Sequence, residues 1–192
     1  MDLYKRVINR INIGVTKVKY NMYMAKVESQ NPVHDQVDGI KRRKYSSFNE
    51  YLEHQKSKLT IAPLNLDVRY KERREKFINV RFKNIFENIH GSTVLSLGAR
   101  DGVEVDALRI MGHLAVGIDL AYPEDSQFVH YGDFHNIPYP ENVFDFVYTN
   151  CMDHCFEPSK LAKEIKRILK QKSGRFIMDL QRGRKESGET MM

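Results

Sequence analysis

From Thr93 onward the chain alternates between two hydrophobic periods, and that alternation limits the fold more than any other feature. "TVLSLG" (93–98), "LAVGIDL" (114–120), "FVHYGD" (128–133), "FDFVYTNC" (144–151) and "GRFIMDL" (174–180) are short apolar runs of strand length. "GVEVDALRIMG" (102–112) and "PSKLAKEIKRILK" (158–170) repeat at helical spacing, the latter with Leu161, Ile165 and Leu169 on one stripe. Strands separated by helices or crossovers pair side by side in one direction, so the expected class is α/β. The chain should build a three-layer sandwich around a mostly parallel sheet.

The region before it reads differently. Residues 3–28 carry Leu3, Val7, Ile8, Ile11, Val15, Val18 and Met22 at about helical period. Residues 29–46, with Pro32, Gly39 and many polar residues, read as a connector. Ser47 and Glu50 form a capping-box pattern that starts a helix to about Leu59, and Pro63 breaks the helical pattern beyond it. A further helix, 70–89, carries Tyr70, Phe77, Ile78, Phe82, Ile85 and Phe86. The expected division is a basic helical extension over 1–69, acting as lid or recognition region, and an α/β domain over 70–192. Residues 1–90 hold 19 Lys/Arg against 10 Asp/Glu, whereas 91–192 hold 12 against 15. A basic front half can meet nucleic acid or another polyanion, or can simply be a set of solvated helix faces. No apolar run approaches the roughly 20 residues of a membrane helix. The N-terminus lacks a secretory pattern and only Cys151 and Cys155 occur, so a reducing, cytoplasmic setting is expected.

In an open parallel sheet, ligands sit beyond the carboxyl ends of the strands. Polar and glycine residues collect there. Gly98 and Gly102 come after the first strand, Asp119 ends the second, Asp133 comes after the third, and Asn150 with Cys151 ends the fourth. Gly98 allows a sharp turn and close approach of a ligand to the backbone. Gly102 sits near a helix start, whose N–H groups favour an anionic group. Asp119 has the position and spacing of an acid that accepts hydrogen bonds from ribose hydroxyls. Asp133 could accept from an exocyclic amine, with Phe134 against the base.

Residues 93–180 resemble the class I S-adenosylmethionine-dependent methyltransferases, with a Rossmann-like fold. "VLSLGARDG" is similar to their glycine-rich motif, "GIDL" to their acidic second motif, and "GDFHNIPYPENVFDFVYTN" to their third and fourth. The resemblance implies S-adenosyl-L-methionine as cofactor. It implies that Ser96, Gly98, Ala99, Arg100 and Gly102 surround the methionine part. Asp119 with Leu120 would hold the ribose, Asp133 with Phe134 would read the adenine, and Asn150 would lie at the end of the fourth strand. Two positions depart from the pattern: Ser96 stands where an acid is usual, and Arg100 where a glycine is usual. The C-terminal strand hairpin of such folds does not follow the fifth strand in this sequence, so either the chain is a fragment or the sheet edge is covered by the N-terminal helices, by a second copy or by a partner.

In "NCMDHC", Asp153 and His154 are candidate catalytic residues, His154 as general base toward a hydroxyl acceptor. No metal site is expected, because Cys-x3-Cys with one His lacks a second ligand pair. Cys151 is expected to be a small buried residue, and His135 to line the pocket mouth. The leading reading is a methyltransferase for a small molecule or glycan. A non-catalytic domain that keeps the fold, and an RNA methyltransferase suggested by the basic front half, remain alternatives.

Overall fold

The computed structural model of the chain describes residues 34–37, 40–43, 45–61, 66–122, 126–152 and 155–179. The expected helix over 3–28 lies outside them. Part of the expected connector is a hairpin: β1 (His34–Val37) pairs antiparallel with β2 (Ile40–Arg43) across a two-residue link that includes Gly39. Helix α1 (Phe48–Ile61) starts as the capping pattern requires, with a shift of one partner. Ser47 Oγ accepts the Glu50 N–H at 3.2 Å, but the Glu50 carboxylate reaches back to Ser46, to its N–H at 2.7 Å and its hydroxyl at 2.6 Å.

The expected helix 70–89 is three pieces: α2 (Leu66–Lys76), a π-helical stretch (Phe77–Phe82) and α3 (Lys83–Phe86). The wide turn has a packing reason. Phe77 and Phe82 are five residues apart, which a π-turn aligns and an α-turn does not. Both are buried, their ring centroids 5.2 Å apart, and Phe82 and Phe86 meet edge to face at 5.6 Å.

The sheet contains the five expected strands, with trimmed ends. They are β3 (Thr93–Leu97), β4 (Leu114–Asp119), β5 (Val129–Tyr131), β6 (Phe146–Thr149) and β7 (Arg175–Met178). They lie in the order β5-β4-β3-β6-β7, and all four pairs are parallel. Two helices lie on its faces: α4 (Val103–Ile110) and α5 (Pro158–Ile168). The strand period of two divides the core. Val94, Ala115, Phe146 and Tyr148 face a layer of Phe77, Phe82, Phe86, Val103 and Leu108. Leu95, Leu97, Ile118 and Val147 face Phe134, Ile137, Phe144, Leu161, Ile165 and Ile168. The α5 stripe thus ends on Ile168 rather than Leu169. The chain winds outward from β3 through β4 to β5, then returns to β6 on the other side of β3. The switch point lies between the carboxyl ends of β3 and β6, where such sheets open a ligand crevice. No helix among the described residues is long and apolar enough to cross a membrane.

Candidate active site

The turn after β3 is built by its own backbone. Gly98, Arg100 and Gly102 all have positive φ, at 71°, 42° and 74°. The Gly98 and Ala99 amides both donate to the Ile118 carbonyl, at 2.9 and 3.2 Å, and the Gly102 amide closes the turn on the Ala99 carbonyl at 2.7 Å. A Cβ on Gly98 would run into the Cys151 thiol across the switch point. Gly102 faces inward instead: a Cβ there would meet Val129 of β5 at 2.8 Å. Arg100 therefore occupies a left-handed conformation that suits glycine. Its compensation is visible: the Arg100 amide donates to Asp119 Oδ2 at 2.8 Å. Asp119 Oδ1 accepts the Ala121 amide at 2.8 Å. These two amide bonds fix the orientation of the carboxylate.

The other end of the rim is built from side chains. Asp133 Oδ1 accepts both the backbone N–H of His135, at 2.8 Å, and its ring nitrogen Nδ1, at 2.7 Å. Burial pushes the Asp133 carboxyl up, but these two bonds outweigh it and hold the carboxyl below its ordinary range. The Glu157 amide, at the start of α5, donates to His135 Nε2 at 3.0 Å. That donor fixes the tautomer: Nε2 is the acceptor and Nδ1 carries the proton given to Asp133. The imidazole is buried in a ring cluster of Phe48, Tyr51, Phe134 and Phe156.

Between the two ends lies a narrow cleft of about 40 Å³, lined by Tyr51, Gln55, Gly98, Arg100, Asp119, Leu120, Ala121, Phe134 and Cys151. Tyr51 and Gln55 reach it from α1. Tyr51 stacks on Phe156 at 5.7 Å, and burial drives its phenol far above the usual range. Behind the turn, Ser96 is fully buried with its hydroxyl 3.4 Å from Glu104 of α4.

Five of the residues assigned to the cofactor from the sequence line the cleft: Gly98, Arg100, Asp119, Leu120 and Phe134. Ser96, Ala99 and Gly102 are buried beneath it. Asp133 is beside it and tied to His135, and Asn150 is half-buried next to the lining Cys151. Asp153 and His154 lie outside the described residues. Two expectations are corrected. Cys151 is not simply buried: it lines the cleft, because its side chain fills the space that Gly98 leaves open. His135 does not line the mouth: it is buried, because both ring nitrogens are engaged inside the protein. Tyr51, Gln55 and Ala121 escaped sequence reasoning. The two α1 residues are more than 40 positions from the motif they cover, and nothing local marks them.

Residues 95–178 match the family model of a methyltransferase domain. Among solved structures, a Pyrococcus horikoshii protein is 23% identical with a TM-score of 0.53, covering 65% of this chain and 66% of its own. A Methanococcus maripaludis protein assigned as an S-adenosyl-L-methionine-dependent methyltransferase is 19% identical, with a TM-score of 0.49 over 71% of this chain and 67% of its own. A Haemonchus contortus phosphoethanolamine N-methyltransferase, solved with S-adenosylhomocysteine, is 21% identical, with a TM-score of 0.46 over 72% of this chain and 37% of its own. The chain thus spans two thirds or less of these proteins' lengths, to within a percentage point. No curated protein matches the sequence.

Proposed function

We propose, from the match of residues 95–178 to a methyltransferase-domain family model, that the chain is a class I S-adenosylmethionine-dependent methyltransferase and that the cleft at the β3–β6 switch point binds S-adenosyl-L-methionine for methyl transfer to a small acceptor. The observation that carries this reading is Asp119. Its carboxylate is pinned by two turn amides at the end of β4, beside a turn whose positive φ values bring the backbone close to the cleft. That donor set fits a nucleoside: a fixed carboxylate for ribose hydroxyls, Phe134 and Leu120 as apolar walls, and Asp133 for an exocyclic amine.

When bound, the cofactor would supply an electrophilic methyl group on a sulfonium, whose leaving group is a neutral thioether. The chain's own residues bind and orient. Asp119 fixes the ribose, the turn fixes the amino-acid end, and the buried ring cluster excludes water from one wall. Holding the reactants in line supplies most of the acceleration. Asp153 and His154 are proposed as acceptor-side groups, His154 taking the proton of a hydroxyl acceptor; His154→Ala should then lower turnover while leaving cofactor affinity in place.

A ligand of this size needs roughly 300 Å³ or more, against the 40 Å³ present. Binding therefore carries Tyr51 and Gln55 outward with α1. The acceptor is proposed to be a small molecule or a single glycan unit. Titration calorimetry with S-adenosylhomocysteine and sinefungin tests the reading. Micromolar binding of either supports it, and no binding of both at millimolar ligand would leave the non-catalytic alternative.

A further inference from the structure

We propose that Glu104 is a positioning residue for the ammonium of the cofactor's amino-acid end, acting through Ser96 at the end of β3. The proposal rests on the reading of the cleft as an S-adenosylmethionine site. Glu104 stands in the first turn of α4, immediately behind the glycine turn, and is only 3% exposed. Its Oε1 lies 3.4 Å from the hydroxyl of Ser96, which is two residues before Gly98 and itself fully buried. Ser96 stands where such motifs usually carry an acid, and Glu104 brings a carboxyl to the same place from the helix.

The groups facing Glu104 come from three elements and the turn. Arg73 and Tyr70 approach from α2, Asp101 from the turn, Asp119 from β4 and Tyr148 from β6. Arg73 is the one cation among them, and it is committed elsewhere: its guanidinium forks onto both oxygens of Asp101. Glu104 is thus a buried acid that lacks a dedicated counter-ion among the described residues. Burial pushes its carboxyl up to about 8, with Asp101 and Asp119 adding to the rise, and a hydrogen bond from its own backbone amide and the charge of Arg73 opposing it. At neutral pH the carboxyl holds its proton. An ammonium arriving at the turn supplies the missing positive charge and favours the ionised form. The carboxyl then releases its proton to solvent, one for each ligand bound, with no covalent bond made or broken.

Linkage sets the sign. Binding selects the deprotonated carboxyl, so affinity rises with pH up to about 8 and levels off above it. Below that point the gain approaches tenfold for each pH unit. The test is calorimetry on the full chain at pH 6, 7 and 8, in two buffers of different ionisation enthalpy. The ligands are S-adenosylhomocysteine and 5′-methylthioadenosine, which keeps the nucleoside and lacks the amino-acid end. S-adenosylhomocysteine should release close to one proton at pH 7 and bind up to tenfold tighter at pH 7 than at pH 6. Methylthioadenosine should show neither effect. Glu104→Gln should abolish the slope and the proton release, and leave methylthioadenosine binding unchanged. A slope that survives in Glu104→Gln overturns the proposal, as does an equal slope for both ligands. If the variant does not fold, the contrast between the two ligands on the parent decides alone. If both ligands bind and no proton is released, this proposal fails and the cofactor site stands; if neither binds, both fail.

Discussion

The two ends of the cleft hold their carboxylates in different ways. Asp119 is gripped by the amides of Arg100 and Ala121, which come from its own strand end and the neighbouring turn. Asp133 is gripped by one backbone amide and one side chain, both of His135, and that side chain is held in turn by α5 and by rings from α1. Backbone amides cannot be mutated away and move little, so the first end is rigid by construction. The second end is as firm as the packing around His135. If the cleft takes a nucleoside, the ribose end is fixed in advance and the adenine end is adjustable.

The strongest test of that contrast is Asp119→Ala. Two hydrogen bonds to a charged acceptor are each worth about 1.5–3 kcal/mol, so affinity for S-adenosylhomocysteine should fall roughly 10²–10⁴-fold by calorimetry. The melting temperature should fall as well, because two amides lose their acceptor. An unchanged affinity would remove the ribose from this end. Next in size is Tyr51→Ala. Truncating a buried aromatic costs about 3–5 kcal/mol, and the loss here should appear as faster hydrogen exchange across α1 while the amides of β3 and β4 keep their protection. Uniform loss of protection would mean that α1 is part of the core and not a removable roof.

At the adenine end the effects are smaller. Asp133→Ala should weaken nucleoside binding about tenfold, the worth of one hydrogen bond of about 1.4 kcal/mol. His135→Ala should cost less than that, since the backbone N–H at 135 still donates to Asp133 and only the ring bond is lost, and should speed exchange at the Glu157 amide, which loses its acceptor. If His135→Ala leaves binding intact while Asp133→Ala does not, the imidazole is structural only.

The same contrast governs how much could be read from the chain. The five parallel strands, α4, α5 and the acid at Asp119 are local patterns, in which period, glycine placement and strand ends lie within a few residues of one another. The π-helical turn was not legible, because Phe77 and Phe82 choose it to reach a core made of Tyr148 and Phe86. The hairpin at 34–43 was hidden in a polar stretch without strand-like alternation. The cleft wall from Tyr51, the burial of His135 and the isolation of Glu104 all depend on which distant elements dock beside them. Residue type announces such groups; only the fold decides whether each one faces ligand, solvent or core.

The smallest expected effect isolates the turn itself. Arg100 sits at φ 42°, a conformation costing a side-chain-bearing residue about 1–2 kcal/mol relative to glycine. It also lines the cleft. Arg100→Ala removes the guanidinium and keeps the strain; Arg100→Gly removes both. A loss of affinity shared by the two variants therefore measures the guanidinium, and their difference in melting temperature measures the backbone. Glycine also loosens the unfolded chain, which offsets about 0.5–1 kcal/mol of the relief. Arg100→Gly should therefore be only slightly more stable than Arg100→Ala, by about 1 kcal/mol or less in chemical denaturation. A glycine variant less stable than the alanine variant would mean that the turn relaxes without its ligand, and that the Asp119 end is no more pre-formed than the Asp133 end.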